Sequence, residues 1–162
     1  MTCTIDERGV VRASMACTLR APRTRVWGWM RDWRSFLEMD PLHVRVEALE
    51  PPLPHADLRI RHRLLGIGVD RVGRILRWRE GKGFIVSDLS RRSPGVGFPH
   101  VCEFALQDAG PCATRVLVGV RGRWTARFVP RPIVRAWITL VLAATVGIIR
   151  LHWVARPALP RR

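Results

Sequence analysis

Residues 10–20, VVRASMACTLR, place Val11, Ala13, Met15, Cys17 and Leu19 in alternation with positions that include Arg12, Ser14, Thr18 and Arg20. That period of two predicts a strand with one buried face. The next stretch, APRTRVWGWMRDW, changes period. Pro22 and Thr24 are helix-start signals, and Val26, Trp27, Met30 and Trp33 fall on one helical face. Trp29 lies off that face and is expected at a rim or an interface. A second short helical turn, RSFLEM, ends at Asp40-Pro41, where the proline discourages continuation.

Strand-like stretches follow, separated by turn residues. HVRVEALE stops at Pro51-Pro52. DLRIRHRLLG puts Leu58, Ile60, His62 and Leu64 on one face and Arg59, Arg61 and Arg63 on the other. VDRVGRILRWRE alternates less cleanly, and one phase places Val72, Leu76 and Trp78 inside with Asp70 and Arg74 beside them. Glu80 to Gly83 reads as a hairpin turn. FIVSDLS is a strand whose phase stays open, so the facing of Asp88 is not fixed. After RRSPGVG, FPHVCEFAL puts Phe98, His100, Cys102, Phe104 and Leu106 on one face. ATRVLVGVRGRW does the same for Thr114, Val116, Val118, Val120 and Trp124.

The last long element is different again. Fourteen uncharged residues, Ala136 to Ile149, lie between Arg135 and Arg150. A standard membrane span needs about 20 apolar residues, so this run is short for one. On a helical wheel Ile133, Trp137, Leu140, Val141, Ala144, Ile148 and Leu151 share a face, expected to be the packed one. The other side carries Arg135, Thr139 and Arg150 but also Leu142, Val146, Ile149 and Trp153. That side is apolar enough to dock on a second copy or on a membrane surface. The order of strand, two short helices, about six strands and one long helix predicts an antiparallel α+β domain.

Composition changes this picture only at the edges. At 162 residues the chain suits a single domain, with a core over about residues 8–155 and a basic tail at 156–162. The net charge is +15, and of 28 basic residues only Lys82 is a lysine. The arginines are spread from Arg8 to Arg162 rather than clustered, which argues against a nucleic-acid footprint. Rows such as Arg59/Arg61/Arg63 and Arg71/Arg77/Arg79 predict a cationic outer sheet face that would attract anionic lipid headgroups. MTCTIDERGVVR has no apolar core segment, which argues against a signal peptide. Cys3, Cys17, Cys102 and Cys112 form no CxxC or other metal spacing, which predicts reduced thiols and a cytoplasmic setting. No phosphate loop, nucleophile elbow or HExxH occurs, and neither a metal nor a cofactor is expected.

The opening strand running into APRTRVWGWMRDWRSFLEMDP, together with the element order, resembles the SRPBCC superfamily. This superfamily includes START lipid-transfer domains, the major birch pollen allergen, and polyketide cyclases and dehydrases. The resemblance implies a helix-grip fold: a curved antiparallel sheet of about seven strands wrapped around a long C-terminal helix, with two short helices after the first strand. It also implies an internal cavity for a hydrophobic small molecule such as a lipid, isoprenoid or polyketide.

With strand faces set by alternation, the expected ligand-binding residues are Met15, Cys17, Ile60, His62, His100, Cys102, Phe104, Val118, Trp124, Trp137, Val141, Ala144 and Ile148. The catalytic candidates are His62, His100, Asp70 and Arg74. An imidazole can move a proton near neutral pH, and a base with a cation beside it suits enolate chemistry. If Asp70 and Arg74 face outward, they form a solvated cross-strand pair instead. Three functions remain open: a carrier of a hydrophobic ligand, a cofactor-free cyclase, dehydrase or isomerase using the same cavity, and an adaptor docking on a membrane or a protein. The expected location is the cytoplasm, with a possible peripheral membrane contact or a homodimer through the last helix.

Overall fold

A computed structural model describes residues 1–48, 56–64, 67–88, 98–126 and 128–155. The architecture is α+β. In chain order the elements are β1 (Thr2–Ile5), β2 (Val10–Leu19), α1 (Arg23–Met30), α2 (Trp33–Leu37), β3 (His43–Ala48), β4 (Asp57–Leu64), β5 (Ile67–Arg79), β6 (Gly83–Asp88), β7 (His100–Asp108), β8 (Thr114–Arg123) and α3 (Arg131–Ala155). The Pro51-Pro52 stop, the RRSPGVG turn and the basic tail lie outside the described residues, as does the side chain of Leu64.

All eight strands form one antiparallel sheet in the order β1-β2-β8-β7-β6-β5-β4-β3. From β3 to β8 it is a meander of neighbours in sequence, and β2 closes on β8 along its whole length, Val10 opposite Arg123 and Leu19 opposite Thr114. The period-two reading of β2, β4, β7 and β8 holds: Val11, Ala13, Cys17, Leu58, Ile60, Phe104, Val116 and Val118 are all buried. β1 is the strand that the sequence reading lacks. Four residues carry too little alternation to register. What makes the strand is the turn after it, where Asp6 Oδ1 accepts from the Arg8 and Val10 amides at 2.9 and 2.8 Å and Gly9 takes φ +76°.

β5 runs in the opposite phase to the one expected. Gly73 and Ile75 are buried, and Val72 and Leu76 are exposed. Trp78 still packs against the core, because the β5–β6 register shifts between Ile75 and Arg77. A bulge adds one residue and so swaps faces beyond it. Reading back from Trp78 therefore assigns the wrong side to residues 70–76. Asp70 and Arg74 lie on the outer surface, each in its own cross-strand ion pair. Arg61 grips Asp70 through two bonds of 2.8 and 3.0 Å, and Arg74 Nε donates to Asp57 at 2.7 Å. They pair with β4, not with each other. Arg71 leaves the expected outer row and turns inward.

Two short helices and α3 cover the inner face. Pro22 precedes α1 in an extended conformation, and Asp32 caps α2 by accepting from the Ser35 amide. Trp29 is not a rim residue: it is buried, with its ring 5.3 Å from Phe36 and 5.4 Å from Trp153. The solvated side of α1 is the narrow one formed by Thr24, Arg25 and Gly28, and Trp29 lies outside it. Trp27 and Trp78 donate their indole N–H groups to the two oxygens of Glu80, at 2.7 and 3.2 Å.

α3 packs with the side expected to face outward. Val134, Ile138, Leu142, Thr145, Val146 and Ile149 are buried, whereas Ile133, Leu140 and Leu151 are exposed. Trp153 is half-buried against Trp29. The helix is thus turned roughly a third of a revolution from the expected setting. Its circumference is apolar nearly all round, so periodicity alone does not choose the packed side. Thr145 sits there at no polar cost, because its hydroxyl donates to the Val141 carbonyl at 2.9 Å. α3 is long and apolar enough, by length and composition, to cross a membrane; in this fold it is the long helix lying over β1 and β2.

Candidate functional site

A cavity of about 450 Å³ lies between the sheet and α3. Its walls are mostly apolar, with Phe104, Val118, Val120, Trp124, Trp137, Ile138 and Val141 among them. One end is different. Asp40, His43, His62, Arg71, Asp88 and His100 converge there.

The register explains the convergence. His43 sits opposite His62 in the β3–β4 pair, and Asp88 sits opposite His100 in the β6–β7 pair. Arg71, on β5, bridges between them from the inward phase that the bulge imposes. Asp88 is the hub, 3% exposed at the end of a strand that is buried nearly throughout. Its Oδ2 accepts from Arg71 Nη1 at 3.0 Å and lies 3.3 Å from His62 Nε2 and 3.7 Å from His100 Nδ1. Arg71 Nη1 also donates to the Phe98 carbonyl at 3.3 Å. Asp88 Oδ1 and His62 Nδ1 are buried and have no hydrogen-bond partner among the described residues.

Two histidines have fixed tautomers. A carbonyl only accepts, so His100 Nδ1 must carry the proton it gives to the Phe98 oxygen at 2.7 Å, and His43 Nδ1 likewise donates to the Leu37 oxygen at 2.7 Å. The His100 ring stacks on Phe98, with centroids 4.8 Å apart. Burial pushes the His62 imidazolium down to about 4, with Asp88 opposing the shift and His43, Arg71 and His100 adding to it. Burial lowers His100 in the same way, against the pull of Asp88. Both rings are therefore uncharged at neutral pH. A neutral imidazole with its Nδ1 proton engaged exposes Nε2 as a base or acceptor, a geometry suited to orienting a ligand or taking a proton from it. Burial also raises the Cys102 thiol well above its usual range, which keeps it an unreactive wall residue.

Of the residues expected from sequence, His62, His100, Cys102, Phe104, Val118, Trp124, Trp137 and Val141 line the cavity. Met15, Cys17, Ile60, Ala144 and Ile148 do not. Cys17 and Ile60 belong to the close-packed core, and Ala144 and Ile148 lie further along α3 than Leu142, the last helix residue that lines the cavity. Asp70 and Arg74 stand outside. The sequence reading lacked Asp40, His43, Arg71 and Asp88. His43 was not open to detection: alternation in HVRV groups it with the exposed Arg45, and the register shift between His43 and Arg45 turns it inward beside His62. Asp88 was not either, because GFIVSD is buried on both sides and has no alternation to read. Larger hollows of about 660 and 1020 Å³ lie elsewhere on the surface, lined in part by Arg8, Arg123 and Arg131 and by Arg12, Arg77 and Arg121. Neither gathers a comparable buried cluster. Among the described residues no group of His, Cys, Asp and Glu has metal-binding geometry.

An antiparallel sheet of eight strands packed against a long C-terminal helix, with two short helices after β2 and a cavity between, is a helix-grip-like fold. No sequence-family profile matches the chain, and no curated protein matches it in sequence. Solved structures do match. The Zhui aromatase/cyclase from Streptomyces sp. R1128 superposes with a TM-score of 0.71 at 16% identity, covering 91% of this chain and 95% of that one. A START superfamily protein from Mycobacterium smegmatis gives 0.65 at 17% identity, over 89% and 99%. Ara h 8.0201 gives 0.58 at 14% identity, over 88% and 99%. Identities this low establish the shared fold.

Proposed function

We propose that the chain binds a hydrophobic small molecule, of lipid, isoprenoid or polyketide-like character, between the sheet and α3. The observation that carries this reading is an apolar cavity closed at one end by a buried carboxylate, a guanidinium and two uncharged imidazoles. Its volume lies within the range of about 300–1,000 Å³ usual for ligand pockets. Members of the SRPBCC superfamily bind hydrophobic ligands or act as cyclases, which agrees. Native mass spectrometry of gently purified protein is expected to reveal a bound apolar compound whose retention drops when Val118→Trp fills the cavity. No bound compound, together with no uptake of added apolar ligands, would sink the proposal.

The second reading is a cofactor-free cyclase, dehydrase or isomerase, favoured by the exposed Nε2 base of His100. The same experiment decides it. A ligand recovered unchanged after incubation supports a carrier. A changed product that His100→Ala abolishes, with binding retained, supports proton transfer.

The exposed side of α3 extends the proposal to a partner. Ile133, Leu140, Leu151 and Val154 form a solvent-facing stripe, and Phe128, before the helix, is 87% exposed. The helix carries Arg131, Arg135 and Arg150 and no acidic residue. An apolar stripe edged with arginine fits an anionic lipid surface. Ile133 also lines the cavity, so docking would bring its mouth to the bilayer. Flotation with vesicles rich in phosphatidylglycerol is expected to recover the protein. Phe128→Ser and added salt should each reduce that recovery. Equal recovery with purely zwitterionic vesicles would refute the charge argument.

A further inference from the structure

The polar end of the cavity is rich in acceptors, and among the described residues Arg71 is the one cation in its lining. His100 spends its Nδ1 proton on the Phe98 carbonyl, and His43 spends its own on the Leu37 carbonyl. The ring of His100 is kept uncharged by burial, so its Nε2 is a lone pair. Asp88 Oδ1 and His62 Nδ1 are buried without a partner among the described residues. Leaving such atoms unpaired is costly. The cation at this end, Arg71, has Nη1 engaged by Asp88 and by the Phe98 carbonyl. Two carboxylates, Asp40 and Asp88, line the cavity together with that one guanidinium. Asp40 is itself an acceptor, bonded through Oδ1 to the Leu42 amide at 2.9 Å.

From this arrangement we infer that the cavity selects a neutral ligand whose polar end donates hydrogen bonds, a phenol, enol or alcohol, and discriminates against carboxylates and phosphates. An O–H aimed at Asp88 and the imidazole lone pairs satisfies atoms that otherwise have no donor. A carboxylate placed there meets two like charges, Asp40 and Asp88, and must share its one cation, Arg71, with Asp88. The strongly positive exterior does not reverse this, because the arginines of β4 and α3 lie on the solvent side. Discrimination of this kind is largest where a site's own buried polar groups are left unpaired by the wrong ligand. The inference rests on the cavity being a ligand site, so its test must separate the two.

Three probes of similar size do so: naphthalene, 2-naphthol and 2-naphthoate, titrated by fluorescence at pH 7.5. The expected result is that 2-naphthol binds at least about tenfold more tightly than naphthalene and that 2-naphthoate binds more weakly than 2-naphthol by a similar factor or more. In Asp88→Asn the new amide N–H should narrow the gap between naphthol and naphthoate. Should that variant not fold, His100→Phe, which keeps the stack on Phe98, should reduce naphthol affinity and leave naphthalene unchanged. If naphthalene binds and naphthol is no tighter, or naphthoate is tightest, the inference is overturned and the cavity reading stands. If none of the three binds, both are overturned.

Discussion

Asp88→Leu is expected to destabilise the fold by about 3 kcal/mol, the low end of the usual cost of breaking a buried ion pair from one side. The reason lies in what stays behind. The Asp88 side chain is 4% exposed and that of Arg71 19%, so the guanidinium is mostly out of water. Without the carboxylate it keeps a single long bond to the Phe98 carbonyl. His62 Nε2 and His100 Nδ1 also lose the negative oxygen they face. Arg71's residual exposure sets the estimate at the low end, because water can partly solvate the orphaned cation. The pair itself is not expected to be a large net asset, because taking two charges out of water consumes most of their mutual attraction. The double variant Asp88→Leu/Arg71→Met should therefore recover most of the loss. Urea unfolding of both single variants and the double closes the cycle. A single-variant cost below about 1 kcal/mol, or a double variant no better than additive, would show that Arg71 is adequately hydrated in the fold.

The same cluster marks where sequence reasoning succeeded and where it stopped. His62 and His100 were legible because each sits in a strand with one wet face. Arginines at 59, 61 and 63, and Glu103 with Gln107, identify the outside, and alternation does the rest. Their partners were not legible, for two different physical reasons. Asp88 ends a strand covered on both sides, and such a strand carries no periodic mark of its inward face. Arg71 was assigned outward because the bulge after Ile75 breaks the phase, and a bulge arises from pairing between strands rather than from composition. The α3 error has a third cause. A helix apolar on every side is compatible with several rotations, and contacts such as Trp153 with Trp29 choose among them. Element order and helix-grip architecture survive all three errors, because they depend on the number and spacing of elements and not on their phase. The site depends on phase. Its hydrophobic walls were therefore foreseen only in part, and the Asp88–Arg71 pair at its charged end was not.

Lowering the pH from 7 to 5 is expected to remove about 2 kcal/mol of stability through His62. The sign follows from the depressed value. In the unfolded chain this imidazole takes its proton near pH 6.5, whereas in the fold it resists until about pH 4. Above pH 6.5 it is neutral in both states and contributes nothing. Between the two values the unfolded state binds a proton that the folded state refuses, and acid pulls the equilibrium toward unfolding. Burial is the largest cause, and the cations and rings around it, His43, Arg71 and His100, reinforce burial against the single attraction of Asp88. His100 is lowered as well and adds to the slope in the same direction. The carboxylates held low by their partners, Asp70 by Arg61 and Glu80 by the two indoles, weaken the fold only as pH falls below their unfolded values near 4. The interval from pH 7 to 5 therefore isolates the histidines. His62→Gln removes one titration, and chemical denaturation of this variant at both pH values should show a smaller difference than the parent. A parent protein equally stable at pH 5 and pH 7 would mean that His62 accepts its proton inside the fold. The His62–Asp88 contact would then be an ion pair, and the polar end of the cavity would offer a ligand a donor where the geometry presents an acceptor.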